Sequence, residues 1–326
     1  MRRTRCAILS GLLVSVGVLT AAVGASASAN PRPVLMFTSE VHGGWDVVTL
    51  YSDGSVSEPL NGVSDGEFPT FSPDGERVAF IGWTRVGSQW VGGGQIYVTD
   101  LATGTQELVH SAHDADIWWL KWSPKGDQIM FGSYPHKKVG EPERNSDVRV
   151  VTEIQPGVWV EGPLLTRPGN EQFPTWSPDG ESVVYHYDPD KNGVHDKGES
   201  RAAAITVWKA GTSEHRRLTT LSENASMPVY SPDGRWIAYA DYPPGPGGDR
   251  IRLMRPDGSQ KRTIASDRSG PWALDFSSDG RYLAWGEGEG WEATRIMQLD
   301  LGRRGRISVL VDTPGIDHMP EYFPVP

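Results

Sequence analysis

Residues 68–80 read F-P-T-F-S-P-D-G-E-R-V-A-F. An apolar stretch ends at the aromatic Phe71, Ser72-Pro73-Asp74-Gly75 follows, and apolar residues resume at Val78 and Phe80. This is the chemistry of a tight reversal between two strands. Pro presets its φ, Asp bonds the backbone of its own turn, and Gly accepts a positive φ. The pattern recurs as W-L-K-W-S-P-K-G-D-Q-I-M-F from Trp119, F-P-T-W-S-P-D-G-E-S-V-V-Y from Phe173, M-P-V-Y-S-P-D-G-R-W-I-A-Y from Met227 and A-L-D-F-S-S-D-G-R-Y-L-A-W from Ala273. M-P-E-Y-F-P from Met319 opens a sixth copy. The turn prolines and their equivalents stand at 73, 124, 178, 232, 278 and 324, in steps of 51, 54, 54, 46 and 46 residues.

Outward from each turn, a third strand is expected at Ile96–Val98, Val148–Val150, Ile205–Val207, Ile251–Leu253 and Arg295–Met297. A fourth follows, as in Glu107–Val109 and Ser308–Leu310. Four short antiparallel strands per ~50 residues, repeated radially, predict an all-β chain folded as a β-propeller. The N-terminal piece, from Val34–Phe37 through Asp46–Val48 to Ser57-Glu58, supplies second, third and fourth strands but no first. Met319–Phe323 supplies a first strand alone. Joined, they complete one blade and remove two exposed sheet edges. The expectation is six four-stranded blades in residues 30–326, closed by the C-terminal strand completing the N-terminal blade.

The W-S-P-D-G-R-x-I-A-Y pattern, followed by a strand like I-Y-V-T-D and a D-G turn, resembles the TolB-type propeller repeat, an envelope relative of WD repeats. The resemblance covers the propeller only. TolB carries an additional N-terminal α/β domain, whereas Asn30 is expected here to lead straight into a strand. The resemblance implies the fold and a habit of binding proteins or peptides, but not a role in the Tol assembly.

Residues 1–29 are expected to be a secretory signal, with a retained membrane anchor as the alternative. Arg2, Arg3 and Arg5 precede an apolar run from Ala7 to Val23, and Ala27-Ser28-Ala29 fits a small-x-small cleavage site. Cleavage after Ala29 leaves 326 − 29 = 297 residues, with 28 basic against 41 acidic side chains, a net charge of 28 − 41 = −13. Such a balance argues against nucleic acid and anionic lipid as partners. The sole cysteine, Cys6, falls inside the signal, so the exported chain is expected to use no disulfide and no thiolate chemistry. A secreted or periplasmic, monomeric protein is expected, with no membrane insertion after cleavage.

One stretch does not belong to the repeat. Residues 188–199 read D-P-D-K-N-G-V-H-D-K-G-E, which is the spacing of an EF-hand-type calcium loop. Asp188, Asp190, Asn192, the Val194 carbonyl, Asp196 and Glu199 would be the Ca2+ ligands, with Gly193 turning the chain. The loop joins a second strand to a third. It therefore belongs to the face that also carries the links between blades, where propeller binding residues gather. Flanking strands rather than helices make a structural ion the expectation, not a sensor.

On that linking face, Asp65, Asp116, Glu171, Asn224, Asp317 and His318 are expected around the central channel, with Trp118, Trp119 and Trp272 beside them. An acidic, aromatic ring suits a protein, a cationic peptide end or a glycan. The functional expectation is a non-enzymatic binding or scaffold propeller. Two rivals stay open: a metal-assisted lyase or lactonase with chemistry in the channel, and a detached gating or inhibitory partner of a peptidase.

Overall fold

The computed structural model describes residues 31–41, 44–60, 66–83, 85–86, 89–90, 94–136, 145–189, 203–243, 248–267, 270–288, 295–302 and 305–324. The expected signal segment and residues 190–199 lie outside them. Six antiparallel sheets form the blades. Blade 2 comprises Gly66–Phe71, Arg77–Gly82, Gln95–Asp100 and Gln106–Ser111. Blade 3 comprises Ala115–Trp122, Gln128–Pro135, Asp147–Gln155 and Val158–Leu165. Blade 4 comprises Asn170–Trp176, Ser182–Asp188, Ala204–Lys209 and His215–Arg217. Blade 5 comprises Ala225–Tyr230, Ile237–Asp241, Asp249–Met254 and Arg262–Asp267. Blade 6 comprises Pro271–Phe276, Tyr282–Glu287, Arg295–Asp300 and Arg306–Val311.

Blade 1 closes the ring as expected. Asp317–Tyr322 pairs antiparallel with Pro33–Ser39, which pairs with Asp46–Tyr51. Its fourth strand is reduced to one bridge, Leu50 to Val56, with Ser57 N donating to Thr49 O at 2.9 Å.

Every inner strand ends at the aromatic residue before its turn, and the turn is fastened by the side chains the repeat retains. Ser72, Ser177, Ser231 and Ser277 donate to Asp74, Asp179, Asp233 and Asp279 at 2.5–2.6 Å. Each of those carboxylates also accepts the backbone N–H two residues on, at 2.9–3.0 Å. These bonds hold the Asp74, Asp179, Asp233 and Asp279 carboxyls below their ordinary range, the serine bond contributing most. Blade 3 has Lys125 in the aspartate's place, and Ser123 donates instead to Asp127 at 2.9 Å.

Second strands are buried on both faces, as in Val78–Ile81 and Ile237–Asp241. They read as continuous apolar runs rather than alternating ones because each blade is sandwiched between two neighbours. Every seam between blades holds an apolar cluster. Met130 and Val148 meet Trp176 and Tyr185 between blades 3 and 4, and Val229 and Leu253 meet Phe276 and Trp285 between blades 5 and 6. Of the repeat tryptophans, Trp122, Trp176 and Trp285 are buried, while Trp236 is half-buried beneath the Arg255 guanidinium, 4.0 Å from its ring. Among the described residues no helix is long and apolar enough to cross a membrane.

Candidate functional site

The six inner strands surround the axis, and each carries the same irregularity. Phe68, Trp119, Phe173, Met227, Ala273 and Met319 all have φ between 50° and 57°. Each stands three residues before its strand's last aromatic, at a break in the pairing register with the neighbouring strand. The left-handed region costs an L-residue roughly 1–2 kcal/mol, so a sixfold occurrence needs a compensating gain. A bulge re-aims its side chain. Here it turns one residue per blade inward, and the six pack in one buried cluster, with Trp119 4.9 Å from Phe173 ring to ring. The axis is therefore closed by an apolar floor.

Above the floor, toward the linking face, the preceding residue of each inner strand forms a ring: Glu67, Trp118, Gln172, Ser226, Trp272 and His318. Trp83 Nε1 donates to the Glu67 carboxylate at 2.9 Å. His186, on the second strand of blade 4, places Nδ1 2.9 Å from Ser226 Oγ. His318 is fully buried and meets Trp45 edge-on at 4.8 Å; burial pulls its pKa down to about 3, so the imidazole is neutral. Trp118 lies flat on Gly132, where a Cβ would fall 2.4 Å from its Nε1. Only a glycine admits that indole.

Below the floor, Lys121, Asp275 and Glu321 converge from blades 3, 6 and 1. Lys121 Nζ bonds Glu321 and stands 3.9 Å from Asp275, Thr70 Oγ1 donates to Glu321 at 3.0 Å, and Tyr322 N donates to Asp275 at 2.8 Å. Desolvation pushes Asp275 up to about 8, Glu321 adds to the rise, and Lys121 opposes it. Desolvation pulls Lys121 down, but the two carboxylates outweigh it and raise its pKa. Between floor and triad only a cavity of about 20 Å³ remains.

The residues expected from sequence divide by their distance from the bulge. Trp118, Trp272 and His318, one before it, stand in the ring, and Trp119 is in the floor. Glu171 and Asp317 lie two before it, and the alternation of a strand turns them into seams between blades. Asp317 is fully buried and accepts from Ser39 Oγ, Thr313 N and Thr313 Oγ1 at 2.7–2.8 Å. Glu171 is fully buried between blades 3 and 4. Asp116 is exposed and 2.9 Å from His136 Nε2, and Asn224 donates to Tyr242 O at 3.1 Å. Asp65 lies outside the described residues. So do Asp190, Asn192, Val194, Asp196 and Glu199; Asp188 ends its strand opposite Asn170, almost fully buried. Glu67, Gln172, Ser226 and His186 were not expected. The first three are the residues immediately before the aligned repeats, a signal that a fixed offset would have exposed.

The described residues hold no group of three His, Cys, Asp or Glu placed to share a metal ion. Gly62-Val63-Ser64-Asp65-Gly66 matches the G-x-S-x-G string of hydrolase nucleophile elbows. Its Gly66 opens an inner strand, not the helix that the elbow requires. A wider cleft of about 750 Å³ lies on the opposite face between blades 5 and 6, lined by Trp236, Arg262 and turn residues such as Asp233 and Asp279. Those aspartates are already engaged in their own turns.

No family model matches the chain. An uncharacterized protein of Agrobacterium fabrum is 30% identical over 144 residues, 43% of this chain and 46% of that protein, so the match spans less than half of the relative. Among solved structures, TolB from Acinetobacter baumannii is similar with a TM-score of 0.65 at 17% identity, covering 90% of this chain and 67% of that one. A putative TolB from Agrobacterium tumefaciens gives 0.58 at 20% identity, covering 91% and 100%. An oligogalacturonate lyase in complex with manganese gives 0.59 at 15%, covering 86% and 74%. The fold is thus the six-bladed propeller that TolB proteins contain. TolB proteins and an oligogalacturonate lyase share it, so the fold does not select an activity.

Proposed function

We propose that this TolB-type propeller is an exported binding protein of the cell envelope, and that the ring above its closed floor recognises a protein, peptide or glycan. The observation that carries the reading is the ring itself. Two indoles, Trp272 buried with the floor and Trp118 packed against it, stand with the Glu67 carboxylate on the linking-face side of the bulge-built apolar floor. Aromatic faces and a carboxylate suit a basic side chain or a sugar ring. Export is supported by the N-terminal segment, and the acidic balance disfavours nucleic acid.

A calcium ion on the Asp188–Glu199 oxygens belongs to the same proposal. The donors are hard and correctly spaced, and Asp188 holds its carboxylate at a buried strand end beside Asn170.

Peptide and glycan arrays probed with wild type and Trp83→Ala test the reading. Removing the indole that holds Glu67 is expected to weaken any specific ligand by roughly 30-fold, as for an aromatic hot spot. A ligand held equally by both proteins refutes it. One observation favours a second reading, chemistry at the mouth: the contact between His186 and Ser226. A product formed by wild type and not by Ser226→Ala would select that reading.

A further inference from the structure

The cleft of about 750 Å³ between blades 5 and 6 serves neither the ring nor the 188–199 loop. The seam between blades 2 and 3 shows how the same place is filled elsewhere. There Arg77 reaches across from blade 2 to Glu153 of blade 3 at 3.0 Å, and Trp159 packs edge-on to Trp122 at 6.3 Å. Trp236 and Leu301 hold the two corresponding positions between blades 5 and 6. Trp236 N donates to Ser231 Oγ as Arg77 N donates to Ser72 Oγ, each across five residues. Leu301 N donates to Arg281 O at 2.9 Å, as Glu153 N donates to Asp127 O at 2.8 Å. An indole and an isobutyl group cannot form the ion pair, and the turn of blade 6 lines the cleft with Gly305. The seam stays open.

Its walls are apolar. Leu253 and Phe276 are buried at the base, and Trp236, Ile264 and Leu301 are half-buried along the sides. The apolar surface continues outward on the last strand of blade 6. Ile307 pairs with Leu299 and Val309 with Met297, so both face blade 5, and both are exposed. At the axial end stand the Asp233 and Asp279 carboxylates, each held in its own turn. The outer end carries the opposite charge. Arg262 pairs with Leu253 in the strand register and so faces blade 6, with its guanidinium over Trp236 at 5.1 Å. Among the described residues that guanidinium meets no hydrogen-bond acceptor and no carboxylate. Arg255, 4.0 Å from the same indole, already donates to Arg235 O and Gln260 Oε1 at 3.2 Å.

We propose that this cleft binds an aliphatic carboxylate of the fatty-acid class. Its head group sits on Arg262, and its chain lies on the wall of blade 6 that runs from Phe276 past Leu301 to Ile307. A guanidinium fork matches a carboxylate in charge and geometry. Apolar walls with one placed polar group, in a volume of this size, are the usual makeup of a small-molecule site. Asp233 and Asp279 repel an anionic head from the axial end and keep it at the outer one. The site lies on the face opposite the ring and does not rest on that reading.

The test is calorimetric titration of the full chain with sodium decanoate, sodium octanoate and decyltrimethylammonium bromide. One decanoate per chain is expected, with octanoate roughly 10-fold weaker for its two missing methylenes. The cationic analogue is expected to bind at least ~10-fold more weakly than decanoate, and Arg262→Gln to weaken decanoate by roughly 10-fold. Arg262 is exposed and makes no hydrogen bond among the described residues, so the variant is expected to melt with wild type. Ile307→Asp, on the exposed outer wall, is expected to weaken decanoate by a similar factor, and Trp83→Ala to leave it unchanged. No binding at millimolar decanoate overturns the proposal. So does the cationic analogue binding as tightly, or affinity unchanged by both Arg262→Gln and Ile307→Asp. Loss of decanoate in Trp83→Ala would place the ligand at the ring and overturn it as well.

Discussion

Deleting residues 319–326 is expected to abolish cooperative unfolding. The segment contributes the inner strand of blade 1, and its loss bares the edge of Pro33–Ser39 along with the ends of blades 2 and 6. It also takes away Met319 from the floor, Glu321 from beside Lys121, the Tyr322 hydroxyl from Gln298 at 2.6 Å and the Phe323 ring from Phe71 at 4.1 Å. Apolar burial alone amounts to on the order of 5 kcal/mol for Met319, Tyr322 and Phe323. That is a large share of the 5–15 kcal/mol that typically separates native from unfolded. A calorimetric scan is expected to show no single transition, and the open edge to promote association. A truncated chain melting within a few degrees of the parent would contradict closure by this strand.

The second large effect is expected at Lys121→Met. The ammonium keeps only 15% of its side-chain surface exposed and is the one cation between Asp275 and Glu321 in the triad. Replacing it with an apolar chain of similar length leaves two carboxylates facing each other below the floor. Breaking a buried pair by removing one partner costs roughly 3–5 kcal/mol, and the residual exposure places this case toward the lower end. A fall in Tm of roughly 10 °C corresponds to that loss in a chain of this size.

The triad also sets a pH dependence. Asp275 is held at about 8 in the native state, above its ordinary value of 3.8, so the folded chain retains a proton there that the unfolded chain releases. Stability from this group is therefore full below about pH 4 and is lost as pH rises toward 8. The raised Lys121 pKa acts in the same sense, with loss only in the alkaline range. Asp275→Asn is expected to flatten the slope between pH 5 and pH 8, because the amide mimics the protonated acid and still accepts from Tyr322 N. It is also expected to recover part of the Lys121→Met loss. Lys121→Met melting within about 2 °C of wild type at every pH would show that the triad contributes little.

Much of this molecule was legible because the determinants of a blade are local. Ser72-Pro73-Asp74-Gly75 specifies its own turn through bonds spanning two to five residues, and the sequence repeat exposes that rule five times over. Closure was legible for the same reason, since a lone first strand at one end answers three strands at the other. The triad was not legible. Lys121 and Glu321 are 200 residues apart, and neither has a neighbour that announces the other. The bulges were hidden as well, because Phe68 and Trp119 look like ordinary strand residues, and nothing about their type asks for a positive φ. Without the bulge as a reference, strand-entry residues cannot be sorted by face, and Glu171 and Asp317, expected around the channel, lie buried in the seams.

The most direct measurement of the central claim is site-specific photo-crosslinking in the native host, with p-benzoylphenylalanine placed at position 134 or at position 257. Tyr134 stands at the linking-face end of blade 3 beside Trp118, at 6.3 Å between rings, and Asp257 lies in a turn of the opposite face. A discrete adduct from position 134, absent from position 257 and lost when Trp83→Ala is added, is the predicted result. An adduct from position 257 alone would move recognition to the turn face and contradict the account.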